Sequence, residues 1–273
     1  MNSQANKRYR RVLTIAGSDS GGGAGIQADL KAIAANGCYG LSVITALTAQ
    51  NTQGVFAIHS VPVDFVRRQL EVVLDDIGVD AVKIGMLFSV ELIETIAEVL
   101  RLRNLSGIVL DPVMVATSGD KLLEDDAVSA LKESLVPLAD LITPNLPEAE
   151  ALLGRQIDDV AGLEGAAEEL SALGCANVLV KGAHLERAFC TDVLYMARTN
   201  TLYSYPAERI ATANTHGTGC TLSSAIAAKL ASDMPINEAV EAAKEYITGA
   251  IRSGAEYRLG GGNGPVNHFY RFF

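Results

Sequence analysis

The chain has 273 residues, of which 49% are hydrophobic and 20% charged, and its formal net charge is −10. This length suits one large α/β domain over residues 1–273, with enough apolar material for an extensive core. A chain this acidic is a poor candidate for gripping the phosphates of a nucleic acid, whereas a phosphorylated small molecule needs only backbone amides and one or two cations.

The cysteines and histidines suggest neither disulfides nor structural zinc. The four cysteines show no C-x-x-C spacing and the four histidines no H-x-x-x-H spacing. We therefore expect free thiols in a reducing cytosol, and hence a cytoplasmic protein. Residues 1–11 are polar and basic without an apolar core, so they do not read as a signal peptide, and residues 1–10 are expected to form a disordered tail. No apolar run reaches the length of a membrane span, which predicts no membrane partner.

The first predicted unit is a buried strand over residues 11–16, a glycine-rich loop over 17–25 and a helix. Residues 23–28 match the G-x-G-x-x-A pattern of dinucleotide-binding proteins. That fold also needs an acidic residue about 20 positions further on, and residues 38–63 contain neither Asp nor Glu. No G-x-x-x-x-G-K-[ST] motif of P-loop enzymes occurs either. The glycine-rich loop therefore predicts that a ligand approaches the backbone closely, but it matches neither nucleotide-binding motif in full.

Two further strands are predicted over residues 39–46 and 55–61. The uncharged, amide-rich segment 47–54 between them is predicted to be a loop, and the whole to form a hairpin-like flap beside the sheet. A helix is expected to begin near Pro62.

The remainder alternates regularly between strands and helices. Strands are predicted over 81–84, 108–110, 141–143, 178–180, 191–196 and 201–205, and helices over 89–102, 125–136, 147–153, 162–173, 222–230 and 236–252. This alternation indicates right-handed βαβ units and a mostly parallel sheet with helices on both faces, a three-layer α/β sandwich. Ligands in such folds bind beyond the carboxyl ends of the strands.

The turn over residues 214–221 precedes a predicted helix and contains Gly217, Thr218, Gly219 and Cys220. A helix start offers free N–H groups and the positive end of the helix dipole to an anion. A thiol placed there is expected to have a lowered pKa. A glycine-rich turn with a small buried thiol explains the local sequence equally well.

Several of these segments together resemble a known family. In chain order they cover residues 17–19 with 22–29, 45–51, 83–87, 111–114, 143–148, 215–221 and 264–268. They resemble the hydroxymethylpyrimidine/phosphomethylpyrimidine kinases of thiamine biosynthesis, which belong to the ribokinase-like superfamily. The resemblance covers residues 12–252 and implies a ribokinase-like α/β sandwich, an ATP-dependent kinase that phosphorylates the pyrimidine alcohol and then its monophosphate, ATP and Mg²⁺ as cofactors, and a homodimer.

Gln50 has a chemical reason to recognise this substrate. Its side-chain amide offers one donor and one acceptor, which match the amino group and ring nitrogen of a 4-aminopyrimidine. Without the resemblance, a solvated turn glutamine would be the better explanation. The resemblance adds four further pyrimidine contacts, namely Gly17, Asp29, Met86 and Val113. A methionine after a strand is more commonly a core residue.

The resemblance also assigns the phosphate end of the site. Residues 217–220 would form the anion hole, with Cys220 in the place that an aspartate base occupies in most sugar kinases of the superfamily. Lys181 and Asn145, together with Thr218, would face the nucleotide. Asn145 and Glu148 match the superfamily's N-x-x-E metal motif, which Asp111 could join. A surface lysine and a helix-start acid remain ordinary alternatives for Lys181 and Glu148, and His216 could contact phosphate or merely fill the turn.

Three other functions are compatible with parts of this pattern. Pyridoxal kinase belongs to the same superfamily, and a protein with this cysteine motif can accept pyridoxal-like rings. An NAD-dependent oxidoreductase is disfavoured by the missing ribose acid. A non-catalytic binding protein would be expected to have lost the anion-hole or metal residues, which are present here.

Overall fold

The computed structural model describes residues 7–114, 125–183 and 189–273. Within these residues, nine strands form one sheet in the order β3-β2-β1-β4-β5-β6-β7-β8-β9. The strands are β1 Arg11–Asp19, β2 Tyr39–Asn51, β3 Gly54–Ser60, β4 Ala81–Ile84, β5 Ile108–Leu110, β6 Leu141–Ile142, β7 Asn177–Val180, β8 Phe189–Met196 and β9 Thr201–Glu208.

The centre of the sheet is parallel and its edges are antiparallel. Neighbouring strands from β2 to β7 pair in parallel, whereas β3, β8 and β9 each run against their neighbours. The chain adds β2 on one side of β1 and β4 on the other, so the winding direction reverses at β1. This reversal opens a crevice beyond the carboxyl end of β1, where doubly wound folds bind their ligands.

Helices cover both faces of the sheet, which confirms the predicted three-layer sandwich. They are α1 Gly25–Ala35, α2 Val63–Asp76, α3 Val90–Arg103, α4 Asp125–Ala130, α5 Leu146–Leu153, α6 Val160–Ser171, α7 Thr218–Leu230 and α8 Ile236–Gly254. Apolar side chains of α2 to α6 form one core cluster against the sheet, and those of α1, α7 and α8 form the other. Helix α7 is buried along most of its length, so its first turn is firmly placed at the crevice.

The hairpin-like flap is confirmed, but the predicted loop within it is wrong. Strand β2 continues through Gln50 to Asn51 and pairs antiparallel with β3, leaving Thr52 and Gln53 as the turn. The last pair of β1 with β2 joins Asp19 to Thr48. The tip of the flap therefore extends past the end of β1, and Gln50 lies on strand rather than loop.

Two helices differ from the prediction by four residues or more at one end. The predicted helix 125–136 is α-helical only to Ala130, followed by a π-turn over Leu131–Leu135 and a 3₁₀ turn over Val136–Leu138. Pro137 has no N–H to continue the α-helical ladder there. Helix α7 begins at Thr218, four residues earlier than predicted, so Gly219 and Cys220 are part of its first turn.

The four cysteines are free thiols, as expected. In the part of the chain that the structure describes, none of the helices combines the length and the apolar composition that crossing a lipid bilayer would require. Most of the predicted tail, and His184, lie outside the described residues.

Candidate active site

A cavity of about 680 Å³ lies at the crevice, between the carboxyl ends of the central strands and the first turn of α7. All but one of the site residues predicted from the sequence line it. These are Gly17, Gln50, Met86, Asp111, Val113, Asn145, Glu148, Lys181, Gly217, Thr218, Gly219 and Cys220. The sheet topology therefore brings together residues as far apart along the chain as Gly17 and Cys220.

The anion turn, residues 217–220, is locked against the glycine-rich loop that follows β1. Gly217 caps α7 with a left-handed φ of 78°. A Cβ on Gly217 would lie 1.8 Å from the carbonyl oxygen of Gly23, and a Cβ on Gly23 would lie 2.3 Å from Cδ2 of His216. Only glycine fits at both positions, because any side chain would overlap the facing segment. The first-turn N–H groups of α7 are thus presented to the cavity from a fixed backbone.

The expected fall in the pKa of Cys220 is wrong. Burial raises the pKa of this thiol to about 11, and the attraction of the Lys83 ammonium is offset by the repulsion of Asp29 and Asp111. The helix start therefore does not produce a thiolate in the free protein. Cys220 is a neutral thiol at physiological pH, which leaves the turn without a negative charge.

Lys181 lies beside the anion turn and between two carboxylates. Its Nζ is 2.8 Å from Oδ1 of Asp111 and 3.9 Å from Oε2 of Glu148. A Cβ on Gly219 would lie 3.4 Å from the same Nζ, so the ammonium is close to the turn backbone. Burial raises the pKa of Asp111, but Lys181 and Lys83 outweigh it and hold that pKa below its usual range.

Glu148 and Asn145 hold the start of α5 in a capping box. The backbone N–H of Asn145 donates to Oε2 of Glu148 at 2.7 Å, and the N–H of Glu148 donates to Oδ1 of Asn145 at 2.9 Å. Both residues thus have a structural task beside any role towards nucleotide or metal. Burial raises the pKa of Glu148 to about 7, against the opposing effect of Lys181.

The opposite end of the cavity holds Gln50, Gly17 and Met86. The hydroxyl of Thr48 donates to Oε1 of Gln50 at 3.0 Å, which orients its side-chain amide. A Cβ on Gly17 would be 3.3 Å from Cε of Met86, so the missing side chain leaves room for the thioether. Met86 is buried yet lines the cavity, so it serves as core and as wall.

Asp29 is the predicted site residue that does not line the cavity. It is completely buried, and its Oδ2 accepts hydrogen bonds from Lys83 Nζ at 3.0 Å and Thr14 Oγ1 at 2.6 Å. Its Oδ1 accepts a hydrogen bond from Ser224 of α7 at 2.8 Å. A direct contact of Asp29 with a substrate does not fit this geometry, because its side chain is completely buried and does not line the cavity.

Lys83 is a cavity residue to which sequence reasoning gave no role. Its ammonium is fully buried, which lowers its pKa, but the charges of Asp29 and Asp111 outweigh burial and hold the pKa above its usual value. The available signal was a lysine inside the apolar strand Ala81–Ile84, because a buried ammonium needs a carboxylate partner.

Asp19 was also overlooked as a site residue. Its carboxylate accepts the backbone N–H groups of Gly21, Gly23 and Ala24 at 2.7, 3.0 and 2.8 Å. Its Oδ2 also lies 2.9 Å from Nε2 of His216. Burial raises the pKa of Asp19, but these hydrogen bonds outweigh it and hold the pKa below its usual range. His216 therefore joins the glycine-rich loop to the anion turn.

Residues 19–267 match the family model described as phosphomethylpyrimidine kinase. The chain belongs to this family. The matched stretch includes Gln50, the anion turn and both carboxylates beside Lys181. Membership makes the chain a phosphotransferase of thiamine biosynthesis, and the cavity is the candidate site of phosphoryl transfer.

Curated members of this family match the chain over nearly its whole length. The hydroxymethylpyrimidine/phosphomethylpyrimidine kinase of Rhizobium meliloti is 53% identical over 263 residues, covering 96% of this chain and 98% of that protein. The thiamine biosynthesis bifunctional protein of Geobacter sulfurreducens is 54% identical over 257 residues, or 94% of this chain. The chain spans 52% of that protein's length.

Solved structures agree with the ribokinase-like fold. A Bacillus subtilis pyridoxal kinase in an ADP complex superposes with a TM-score of 0.90 at 39% identity, covering 97% of this chain and 100% of that one. A Clostridium difficile phosphomethylpyrimidine kinase superposes with a TM-score of 0.79 at 47% identity, covering 88% and 99%. The fold is therefore shared by kinases of two vitamin rings, and the fold alone does not choose between them.

Proposed function

We propose that this chain transfers the γ-phosphoryl group of ATP to 4-amino-5-hydroxymethyl-2-methylpyrimidine, and then transfers a second one to the monophosphate. The observation that carries the proposal is that Gln50 and the anion turn line the same cavity. Gln50 would pair with the amino-pyrimidine edge, and the turn would receive the phosphoryl group. Gly17, Met86 and Val113 would enclose the ring between them.

The anion turn supports both steps by electrostatics. Phosphoryl transfer passes through a loose transition state, in which positioning and charge stabilisation matter more than early deprotonation of the nucleophile. Helix α7 has no acidic residue in its first turn. Its N-cap residue is Gly217, which has no side chain to accept a hydrogen bond from the first-turn N–H groups. The N–H of Thr218 donates to the carbonyl oxygen of Thr215 at 3.2 Å, so the N–H groups of Gly219 and Cys220, together with the helix dipole, would stabilise the equatorial oxygens of the transferring group.

A neutral thiol at Cys220 suits a site that must accept two different nucleophiles. The first nucleophile is an alcohol, whose proton leaves late in the reaction and could pass to Cys220 only when the thiol has first lost its own proton to solvent. The second is an already ionised phosphate, which a carboxylate at this position would repel. Because the pKa of Cys220 is raised to about 11, the side chain adds no charge while either substrate binds.

Lys181, Asp111 and Glu148 would serve the nucleotide. We propose that Lys181 contacts the phosphates of ATP, helped by Asn145 and Thr218, and that Asp111 and Glu148 support Mg²⁺ directly or through water. Their donor chemistry fits, because Mg²⁺ prefers carboxylate oxygens and both side chains line the cavity. The ion would neutralise charge on the phosphate oxygens. Among the described residues no group of three or more His, Cys, Asp or Glu suits a metal, so phosphate and water would complete its coordination.

The flap is the surface on which we propose a homodimer. Strand β3 is an edge strand, and Leu47, Phe56 and Ile58 on the hairpin are 45%, 68% and 42% exposed. An exposed apolar edge strand favours association with another chain. Sedimentation analysis is expected to show that the protein is a dimer and that Phe56→Ser raises the dissociation constant of the dimer. A monomeric parent protein would contradict the proposal.

The function is tested by following ADP release with Mg·ATP and three acceptors in parallel, namely hydroxymethylpyrimidine, its monophosphate and pyridoxal. We expect turnover of both pyrimidines and loss of turnover when EDTA removes Mg²⁺. Turnover of pyridoxal alone would reject the pyrimidine assignment. The likeness to the Bacillus subtilis pyridoxal kinase makes pyridoxal the necessary comparison.

A further inference from the structure

The C-terminal strap, defined here as residues 260–268, runs between the two ends of the cavity. It follows α8 and passes first along the turn of the flap and then along the segment before the anion turn. Its first half is exposed and its second half is largely buried. The strap therefore joins the element that carries Gln50 to the element that carries the phosphoryl-binding backbone.

The first junction is with Thr52, the residue at the turn of the flap. The N–H of Asn263 donates to the carbonyl oxygen of Thr52 at 2.8 Å. The N–H of Gly262 donates to the hydroxyl of Thr52 at 3.2 Å. A Cβ on Gly262 would lie 2.0 Å from the carbonyl oxygen of Thr52. The contact is thus backbone to backbone and leaves no space for a side chain at Gly262.

The second junction is with the anion turn. The N–H of His216, the residue before Gly217, donates to the carbonyl oxygen of Gly264 at 3.0 Å, and His216 pairs with Pro265 in a short parallel bridge. A Cβ on Gly264 would lie 2.1 Å from Oδ1 of Asn214. The strap therefore holds the backbone on the entry side of the anion turn.

The far end of the strap is fixed to the helices. The N–H of Asn267 donates to the carbonyl oxygen of Ala250 in α8 at 3.0 Å. The buried imidazole of His268 lies 3.0 Å from the hydroxyl of Thr221 in α7, and Tyr246 donates its hydroxyl to the carbonyl oxygen of His268 at 2.7 Å. Because the strap is fixed to α7 and α8 at this end, it holds the flap, which it contacts at its other end, at a defined distance from α7.

The flap needs such support. Its tip extends beyond the pairing with β1, which ends at Thr48, and most side chains of β3 are exposed. The backbone of Gln50 is held by the side chain of Ser20 through hydrogen bonds of 2.8 and 2.9 Å. The strap supplies a second contact, at Thr52, two residues from Gln50.

We propose that the C-terminal strap is a positioning element that sets the spacing between Gln50 and the anion turn. The inference rests on the proposed role of Gln50 as the residue that reads the pyrimidine. A hydroxyl aligned for phosphoryl transfer requires ring and phosphate to be held together to within a fraction of an ångström, and misplacement of about 1 Å lowers rates by roughly a hundredfold. The strap connects the two binding elements through backbone hydrogen bonds, from Asn263 to Thr52 and from His216 to Gly264.

Adjacent glycines provide a variant and its matched control. Gly262→Ala places a methyl group against the carbonyl of Thr52, whereas a Cβ on Gly261 would meet only the end of the Gln53 side chain, at 3.2 Å. We expect Gly262→Ala to lower kcat/KM for hydroxymethylpyrimidine by about tenfold and to change the KM for ATP by less than about twofold, since only the flap moves. Gly261→Ala is expected to change both by less than about twofold.

A double-mutant cycle separates positioning from a general loss of stability. In a Gln50→Ala background, Gly262→Ala is expected to have little further effect on kcat/KM, because the residue whose position it disturbs is already gone. Multiplicative effects of the two substitutions would overturn the proposal. So would equal effects of Gly262→Ala and Gly261→Ala in the parent chain.

Hydrogen exchange of the ligand-free protein tests the strap without any activity. Amides in residues 47–54 are expected to exchange faster in Gly262→Ala than in Gly261→Ala, with no difference in peptides from α3. Unchanged exchange at the flap would overturn the proposal. If the parent chain does not turn over hydroxymethylpyrimidine, the proposed function fails, and the exchange measurement still decides whether the strap holds the flap.

Discussion

The cavity is built between two glycine-rich segments that each precede a helix, and the two use their N–H groups in opposite ways. In the loop after β1, the N–H groups of Gly21, Gly23 and Ala24 are occupied by the carboxylate of Asp19. In the anion turn, Gly217 caps α7 without any side-chain acceptor, and the first turn contains no acidic residue. The first cluster of donors is satisfied by a carboxylate of the protein. In the anion turn the N–H of Thr218 donates to the carbonyl oxygen of Thr215 at 3.2 Å, so the N–H groups of Gly219 and Cys220 are the candidates for a ligand.

This difference shows why a glycine pattern alone is a weak indicator of phosphate binding. Residues 23–28 match G-x-G-x-x-A, yet an internal anion already fills the site that such a loop would offer. What matters is whether a carboxylate of the same chain is placed to accept the N–H groups. In the function proposed above, the loop after β1 would shape the pyrimidine end of the cavity, and the turn before α7 would receive the phosphoryl group.

The largest expected effect comes from closing the anion turn. Gly217→Ala requires a left-handed φ of 78° from alanine and places its Cβ 1.8 Å from the carbonyl oxygen of Gly23. Because the turn backbone must shift, we expect kcat for both pyrimidines to fall by about a thousandfold, the scale of losing an oxyanion-hole donor. Steady-state ADP release measures the loss.

The matched control is Gly165→Ala in α6, where a Cβ meets no atom within 4 Å. It is expected to leave the rates unchanged. Near-normal turnover by Gly217→Ala would show that the turn is more tolerant than the interlocked backbones indicate. Thermal unfolding of both variants shows whether the loss is local to the site.

The alternation of strands and helices was enough to predict the fold, and chain order was enough to predict the rim of the cavity. Residues such as Asp111 and Lys181 follow buried strands, so a parallel sheet necessarily places them at the same edge. The glycines of the anion turn were recognisable because a helix follows them directly.

Other features depend on contacts between distant segments and were not visible in local sequence. Strand β2 reaches Asn51 because β3 supplies its hydrogen-bonding partners. Asp29 was predicted to contact substrate, but Lys83, 54 positions away, takes its carboxylate. The pKa of Cys220 follows burial by elements from the whole chain rather than the helix dipole beside it.

The second prediction concerns the charge at the anion turn. Cys220→Ala tests whether this side chain acts as the base. Because its pKa is raised to about 11, Cys220 could accept the proton of the alcohol only as the minor thiolate form, after losing its own proton to solvent. With that role, we expect the first phosphorylation to fall by about a hundredfold and the second by much less. Cys220→Asp introduces a carboxylate, which should impair the second step more than the first, because its nucleophile is a phosphate. Single-turnover rates with each pyrimidine measure the two steps separately, and equal damage to both steps by Cys220→Ala would refute the base role.

The third prediction concerns the support beneath the anion turn. Burial lowers the pKa of His268 to about 4, so the folded protein keeps this imidazole neutral. The unfolded chain, with a normal pKa near 6.5, takes up a proton first as the pH falls. The contribution of the neutral imidazole to the free energy of unfolding is therefore complete above about pH 6.5 and is lost as the pH falls from that value to 4. At pH 5 the loss amounts to about 2 kcal/mol.

Urea unfolding at pH 7.5 and pH 5 measures this loss, with His268→Gln as the comparison. Glutamine can still bond the hydroxyl of Thr221 but does not titrate, so the variant should lose about 2 kcal/mol less than the parent on acidification. An identical pH dependence of the two proteins would assign the acid sensitivity to other groups.

The smallest effect is expected from opening the occupied loop. Asp19→Asn keeps the size of the side chain but replaces one acceptor oxygen by an NH₂ group, which costs least when it faces the N–H of Gly21 and leaves the oxygen to Gly23 and Ala24. We expect kcat/KM for hydroxymethylpyrimidine to fall by about tenfold, since the loss of roughly one charge-assisted hydrogen bond releases the loop. Asp159→Asn is the control, because Asp159 caps α6 through a single acceptor bond from the N–H of Gly162 and asparagine caps equally well. If both substitutions are silent, Asp19 does not organise the loop, and the contrast between a filled and an open donor cluster no longer explains how the cavity divides its work.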